Sequence, residues 1–114
     1  MPSQVATAIV ALLHVYFLVL EMFLWATPFG QKTFKRTAAE QESTKILAAN
    51  QGLYNGFLAA GLAWSLYTGS IEVRVFFLGC VLIAGLYGAA TAARSILFAQ
   101  AIPAAVALAL TMLR

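Results

Sequence analysis

Charge is scarce in this 114-residue chain: 10% of its residues are charged, against about 25% in an average soluble domain. Seven basic and four acidic residues leave a net charge of +3, and no stretch carries the basic face of a nucleic-acid binder. The single cysteine, Cys80, excludes an intramolecular disulfide and a zinc cage built from thiolates. There is no Ser-His-Asp arrangement, no phosphate loop, no His-Glu-x-x-His motif and no acidic metal cluster. Repeats, low-complexity tracts and a second domain are also missing. What is abundant is apolar: 62% of the residues are hydrophobic and the mean hydropathy is +0.87. Such a chain has too little polar surface for a soluble globule and too much apolar surface for disorder. The composition points to a small integral membrane protein.

A membrane helix needs about 20 apolar residues. The first apolar run covers 5–26 and is interrupted by His14 and Glu21. No Lys or Arg precedes it and no small-residue cleavage site follows, so it reads as a span rather than a signal peptide. A polar stretch then holds four of the seven basic residues. A second run covers 46–67, and Thr68-Gly69-Ser70-Ile71-Glu72 reads as a turn. The rest is too long for one span and divides at Arg94-Ser95. The sequence predicts one all-α integral membrane domain over 1–114. It is a four-helix transmembrane bundle with spans at about 5–27, 46–68, 72–93 and 95–113 and a polar basic loop at 28–45. Lys32, Lys35, Arg36, Lys45 and Arg94 fall on one side, and Arg74, Arg114 and the amino terminus on the other. The positive-inside rule places 28–45 and 93–95 in the cytoplasm and both termini outside, in a multi-pass cell-membrane protein. Trp25, Phe29 and Phe34 then sit near the inner interface, Trp64 and Tyr67 near the outer one.

Membrane helices associate through small residues. Gly52, Gly56 and Ala60 form one stripe, and Ala84, Gly88 and Ala92 another. Either stripe can serve within a protomer or between protomers. Pro103 removes an N–H from the fourth span, which predicts a kink there.

Polar residues inside a membrane are costly and mark sites. Glu21, Asn50, Gln51, Tyr54, Asn55, Tyr87, Arg94 and Gln100 all fall in the expected cytoplasmic half. At a rise of about 1.5 Å per residue they lie within roughly 12–15 Å of that surface. The outer half reads as nearly dry, with Thr7, Ser65, Thr68 and Thr111. The eight residues are the candidate ligand-binding set, a polar pocket for a small amphipathic molecule or lipid. Asn50 and Tyr54 share a helix face, as do Gln51 and Asn55. The amides can equally serve as glue between helices. Arg94 is the natural cation for Glu21 and can equally end its helix and snorkel. His14 reads as a neutral hydrogen-bonding residue, a proton relay or, least in keeping with its isolation, a metal ligand. Glu40 and Glu42 are expected to stay solvated. No catalytic residue and no metal is assigned.

Several runs carry a resemblance. They are Leu20-Glu21-Met22-Phe23-Leu24-Trp25, Ala49-Asn50-Gln51-Gly52-Leu53-Tyr54-Asn55-Gly56-Phe57-Leu58-Ala59-Ala60-Gly61, Ala84-Gly85-Leu86-Tyr87-Gly88-Ala89-Ala90-Thr91 and Gln100-Ala101-Ile102-Pro103-Ala104. With them the whole chain resembles a bacterial family of small four-span membrane proteins, domain of unknown function 1304, which brings no activity with it. More distantly the layout resembles the MAPEG superfamily (membrane-associated proteins in eicosanoid and glutathione metabolism). The matching pieces are the basic first loop, the opening of the second span, and Arg94-Ser95 followed by Gln100 and Pro103. That likeness implies a homo-oligomer, a trimer, with a cytoplasmic-side site. Arg94 would take the place of the arginine near the glutathione thiol, and Asn50 that of a second-span asparagine. In those enzymes the second span also carries arginine and glutamate for the carboxylates and amine of glutathione. Here the stretch Leu47-Ala48-Ala49-Asn50-Gln51-Gly52-Leu53-Tyr54 holds no charge, which departs from glutathione binding. Two other readings compete with the binding site: a structural or partner-binding membrane subunit, and a small proton-coupled transporter using Glu21 and His14.

Overall fold

Thr27 and Thr37 decide where the helices of the polar segment begin. The computed structural model describes residues 1–113; Arg114 lies outside the described residues. The elements are α1 (Pro2–Met22), α2 (Pro28–Phe34), α3 (Ala38–Thr68), α4 (Ile71–Thr91), a π turn (Leu97–Ala101) and α5 (Ile102–Met112). Among the described residues there is no strand. Helices α1 and α4 are each long and apolar enough to cross a membrane, by length and composition. The other expected spans fall on the second part of α3, where Asn50, Gln51 and Asn55 dilute the apolar run, and on the shorter π turn with α5.

The stretch 28–45 is helical rather than a loop. α1 stops at Met22, and the Leu24 N–H reaches back to the Val19 carbonyl at 3.2 Å in a widened last turn. The Thr27 hydroxyl donates to the Leu24 carbonyl (2.6 Å) and accepts from the Gly30 N–H (3.3 Å). It thereby closes one turn and caps α2, with Pro28 in the first position, where a missing N–H costs nothing. α3 starts at a capping box: the Thr37 N–H donates to Glu40 Oε1 (2.8 Å), and the Glu40 N–H to Thr37 Oγ1 (3.2 Å). Hydropathy carries no such signal, so α3 begins two turns before the apolar run.

The chain divides into two compact units, one of His14–Phe57 and one of Met1–Leu13 with the chain from Leu58 onward. In the His14–Phe57 unit, α1 and α3 run antiparallel in close approach. A Cβ at Gly52 would lie 2.7 Å from Met22 Cγ, and one at Gly56 2.6 Å from Leu18 Cδ1. The expected small-residue stripe therefore works inside the chain at these two positions, whereas Ala60 is exposed. Trp25 packs against Phe34 with the rings tilted and their centroids 4.6 Å apart, and donates from Nε1 to Thr44 Oγ1 (3.0 Å). Gly30 is confined because a Cβ there would strike the carbonyl oxygens of Leu24 and Trp25.

In the other unit the core is Val10, Leu62, Leu78, Val81, Ala104 and Ala107. On α4 the buried stripe is Arg74, Leu78, Val81 and Gly85. Gly85 meets the backbone of Ala101: a Cβ would lie 2.7 Å from its nitrogen. Of the expected packing stripe, Ala84 and Ala92 are exposed, whereas Gly88 lies against Ile96, whose side chain would be 3.2 Å from a Cβ there. The closest backbone approach is one residue further round the helix, at Gly85, whose face Leu78 and Val81 share. Near Pro103 the chain widens into the π turn, where the Ile102 N–H reaches the Leu97 carbonyl.

Polarity is reversed along α1. Ser3, Thr7, His14 and Glu21 are buried together with Val10 and Leu20. Val5, Ile9, Leu12, Val15, Tyr16 and Val19 are exposed.

Candidate functional site

Glu21 is the organising residue of the polar cluster. It lies in the last turn of α1 and is buried. Gln51 and Asn55 stand one turn apart on α3, so their amides share a face. Asn55 Nδ2 donates to Glu21 Oε1 and Gln51 Nε2 to Glu21 Oε2. Glu21 thus accepts at both oxygens, as a carboxylate does, and its partners are two amides rather than a cation. Gly52 makes the approach possible: a Cβ there would lie 3.1 Å from Glu21 Cβ. With both amide nitrogens turned to Glu21, the two amide oxygens remain as acceptors. The cluster offers oxygen lone pairs and suits a group that donates hydrogen bonds or carries positive charge.

Other members of the expected set lie differently. Asn50 and Tyr54 are on α3 in the same unit but exposed, and the Tyr54 ring packs edge-on to Phe57. Tyr87 on α4, Arg94 in the turn after it and Gln100 in the π turn belong to the other unit. Tyr87 and Arg94 are exposed there, and Gln100 is half-buried. His14 is fully buried, with its ring edge-on to Phe17 at 5.1 Å between centroids. Among the described residues no group of three or more His, Cys, Asp or Glu is placed to hold a metal ion.

Comparison with known proteins bears on the same residues. The family described as "Protein of unknown function (DUF1304)" matches residues 8–112. The chain belongs to this family. The match takes in Glu21, Gln51 and Asn55. A relative of this DUF1304 chain is the "Uncharacterized protein YpaA" of Lactococcus lactis subsp. lactis (strain IL1403). It is 30% identical over 101 residues, which is 84% of this chain and 84% of that protein. No solved structure matches the chain.

Two buried polar residues of the DUF1304 chain escape a reading by hydropathy. Gln41 has no exposed surface; its Nε2 donates to the Trp25 carbonyl (2.9 Å) and the Gly30 carbonyl (3.4 Å). Its signal is spacing, since Gln41, Ala48, Asn55 and Leu62 recur every seven residues and all are buried. Arg74 is 3% exposed and lies on the Leu78–Val81–Gly85 stripe. The half that reads as nearly dry also buries Ser3, Thr7, Ser65 and Thr111.

Proposed function

We propose that this chain is a four-span cell-membrane protein that binds the polar end of a small amphipathic molecule or lipid at Glu21, Gln51 and Asn55. The observation that carries the reading is the buried Glu21 carboxylate held at both oxygens by two α3 amides. A buried carboxylate is costly in a membrane unless it is paired, and here amides, not a cation, hold it. The remaining acceptors favour a headgroup that donates, such as an amine or a hydroxylated group. The reversed polarity of α1 supports a bilayer as the solvent, since the exposed face is apolar and the polar face is buried. The five-to-two bias of basic residues supports an orientation with 28–45 and 93–95 in the cytoplasm. Asn50 and Tyr54 extend the proposed site within its own unit, and Tyr87, Arg94 and Gln100 are proposed as ligand contacts of the other unit. A MAPEG-like homo-oligomer, a trimer, is part of this proposal and is supported by the layout of the sequence alone.

Native mass spectrometry of the full chain, extracted from membranes in mild detergent, tests this reading. The expected result is an oligomer that retains a small adduct, with the adduct lost in Glu21→Gln and Asn55→Leu. Added glutathione is a direct probe of the MAPEG-like arm. Adduct-free protein from all preparations would overturn the binding reading. A second chain co-purifying would then favour a partner-binding subunit, and proton flux abolished by Glu21→Gln a transporter.

A further inference from the structure

Arg74 is a second buried charge, and nothing described above uses it. It lies in the first turn of α4 with 3% of its surface exposed. Its Nη1 donates to Ser3 Oγ at 3.4 Å, a long bond, and its Nε, also buried, has no partner. The ion pair found among the described residues is Lys45–Glu42, so no carboxylate there answers the guanidinium. Glu72, two residues earlier, is exposed.

Helix register shows what else stands at this level. In the same unit, Gly61 packs on Phe77 and Gly85 on Ala101, so α4 is antiparallel to both α3 and α5. Counting along those helices sets Ser65 and Thr111 level with Arg74. Ser65 donates to the Leu62 carbonyl (2.6 Å) and Thr111 to the Ala107 carbonyl (2.8 Å). Thr7, one turn along from Ser3, donates to the Ser3 carbonyl (2.7 Å). These hydroxyl hydrogens are spent on their own helices, so among the described residues they offer neutral lone pairs and no negative charge at this level. The Ser3 hydroxyl differs: it accepts from Arg74 Nη1 and so holds the guanidinium on the side away from its Nε edge. The positive ends of α1 and α4 also lie at this level, since Ser3 and Arg74 are in their first turns.

We propose that the Nε–Nη2 edge of Arg74, a guanidinium held at Nη1 by the Ser3 hydroxyl, is a binding site for an oxyanion of the phosphate class. A guanidinium edge matches two oxygens of a tetrahedral phosphate bidentately, which an ammonium does not. The oxyanion supplies the missing counter-charge and the missing acceptor for Nε in one step. A lipid phosphodiester at the headgroup level and a free phosphate ion share this chemistry. The site is formed by residues other than the Glu21 cluster, and its test leaves that cluster intact.

The test is thermal unfolding of the full chain in dodecyl maltoside, whose headgroup holds no phosphate. Three proteins are compared: the parent, Arg74→Lys and Ser3→Ala. Each is measured alone, with inorganic phosphate and with phosphatidylglycerol. The parent is expected to gain about 5 °C or more at saturation. Arg74→Lys, which keeps the charge and loses the Nε edge, is expected to lose most of that gain, and Ser3→Ala part of it. A gain with phosphatidylglycerol alone identifies a lipid source, and a gain with inorganic phosphate as well a free oxyanion. No gain in the parent with either probe, or an equal gain in Arg74→Lys, would overturn the site. Arg74→Lys retains a buried cation, so a comparable melting point without ligand guards against a failure to fold.

Discussion

Gly52 lies directly against Glu21, with room for a hydrogen and not for a methyl group. A Cβ at 52 would stand 3.1 Å from Glu21 Cβ and 2.7 Å from Met22 Cγ. Gly52→Ala therefore pushes α1 away at the point where Gln51 and Asn55 reach Glu21. The expected loss is about 1–3 kcal/mol, the usual cost of overpacking a well-fitted contact. Gly79→Ala is the control, because nothing lies within 4 Å of a Cβ there. It should be neutral or stabilising by up to about 1 kcal/mol through helix propensity. Denaturant unfolding of both variants in the same detergent compares them directly.

The Glu21 cluster should behave as one coupled unit. Glu21→Gln keeps the shape but turns an N–H₂ toward amide donors, leaving one buried donor without an acceptor. That costs about 1–3 kcal/mol. Asn55→Leu removes one of the facing donors, so the two changes together should cost less than their sum. A double-mutant cycle should give a coupling energy of about 0.5–3 kcal/mol. A coupling near zero would mean that the two side chains do not meet.

The helical class was legible because the apolar runs are long and few residues interrupt them. Glu21, Gln51 and Asn55 stood out for the same reason, being polar groups in apolar surroundings. Gly52 and Gly56 were legible as a close-approach pair, but their partners, Met22 and Leu18, were not. The second stripe was ambiguous by construction. Ala84-Gly88 and Gly85-Ala89 both offer small residues four apart, and only the faces of Leu78 and Val81 choose between them. The segment 28–45 reads as a loop by its polarity, whereas Thr27, Thr37 and Glu40 act through hydrogen bonds that hydropathy does not register. By sequence Arg74 reads as an outer-surface charge, since one residue shows no periodicity until its helix phase is known.

The contact of Gly85 with Ala101 tests that phase. A methyl group at 85 meets main-chain atoms, 2.7 Å from the Ala101 nitrogen and 2.9 Å from its Cα, and neither can rotate away. Gly85→Ala should therefore cost about 3 kcal/mol, the upper end for overpacking, as α5 and the π turn are displaced. Ala84 is exposed, so Ala84→Gly should cost only the helix-propensity difference of about 0.5–1 kcal/mol. If the packing stripe were Ala84-Gly88-Ala92 instead, Gly85→Ala would be mild. Melting temperatures of the two variants separate the alternatives.

The capping box at the start of α3 predicts a pH dependence. The N–H of Thr37, and then its hydroxyl, hold the Glu40 carboxyl below the ordinary carboxylate range, with a smaller contribution from the charge of Arg36. The folded value is thus lower than the unfolded one. Its stabilisation is present above the unfolded value and is lost as pH falls through the folded value. Glu40 is fully exposed, so the effect is local and is read best on the Thr37 amide and those of the first α3 turn. Hydrogen exchange at the Thr37 amide, which donates to the carboxylate, and at Gln41 should be slower in the parent than in Glu40→Ala near neutral pH. The difference should shrink as pH drops below the ordinary carboxylate range and vanish once Glu40 is protonated. Thr37→Ala should speed exchange at both pH values, because the hydroxyl that accepts from the Glu40 N–H does not titrate. A Glu40→Ala difference that persists at the acid end would show that the side chain acts by packing rather than by charge.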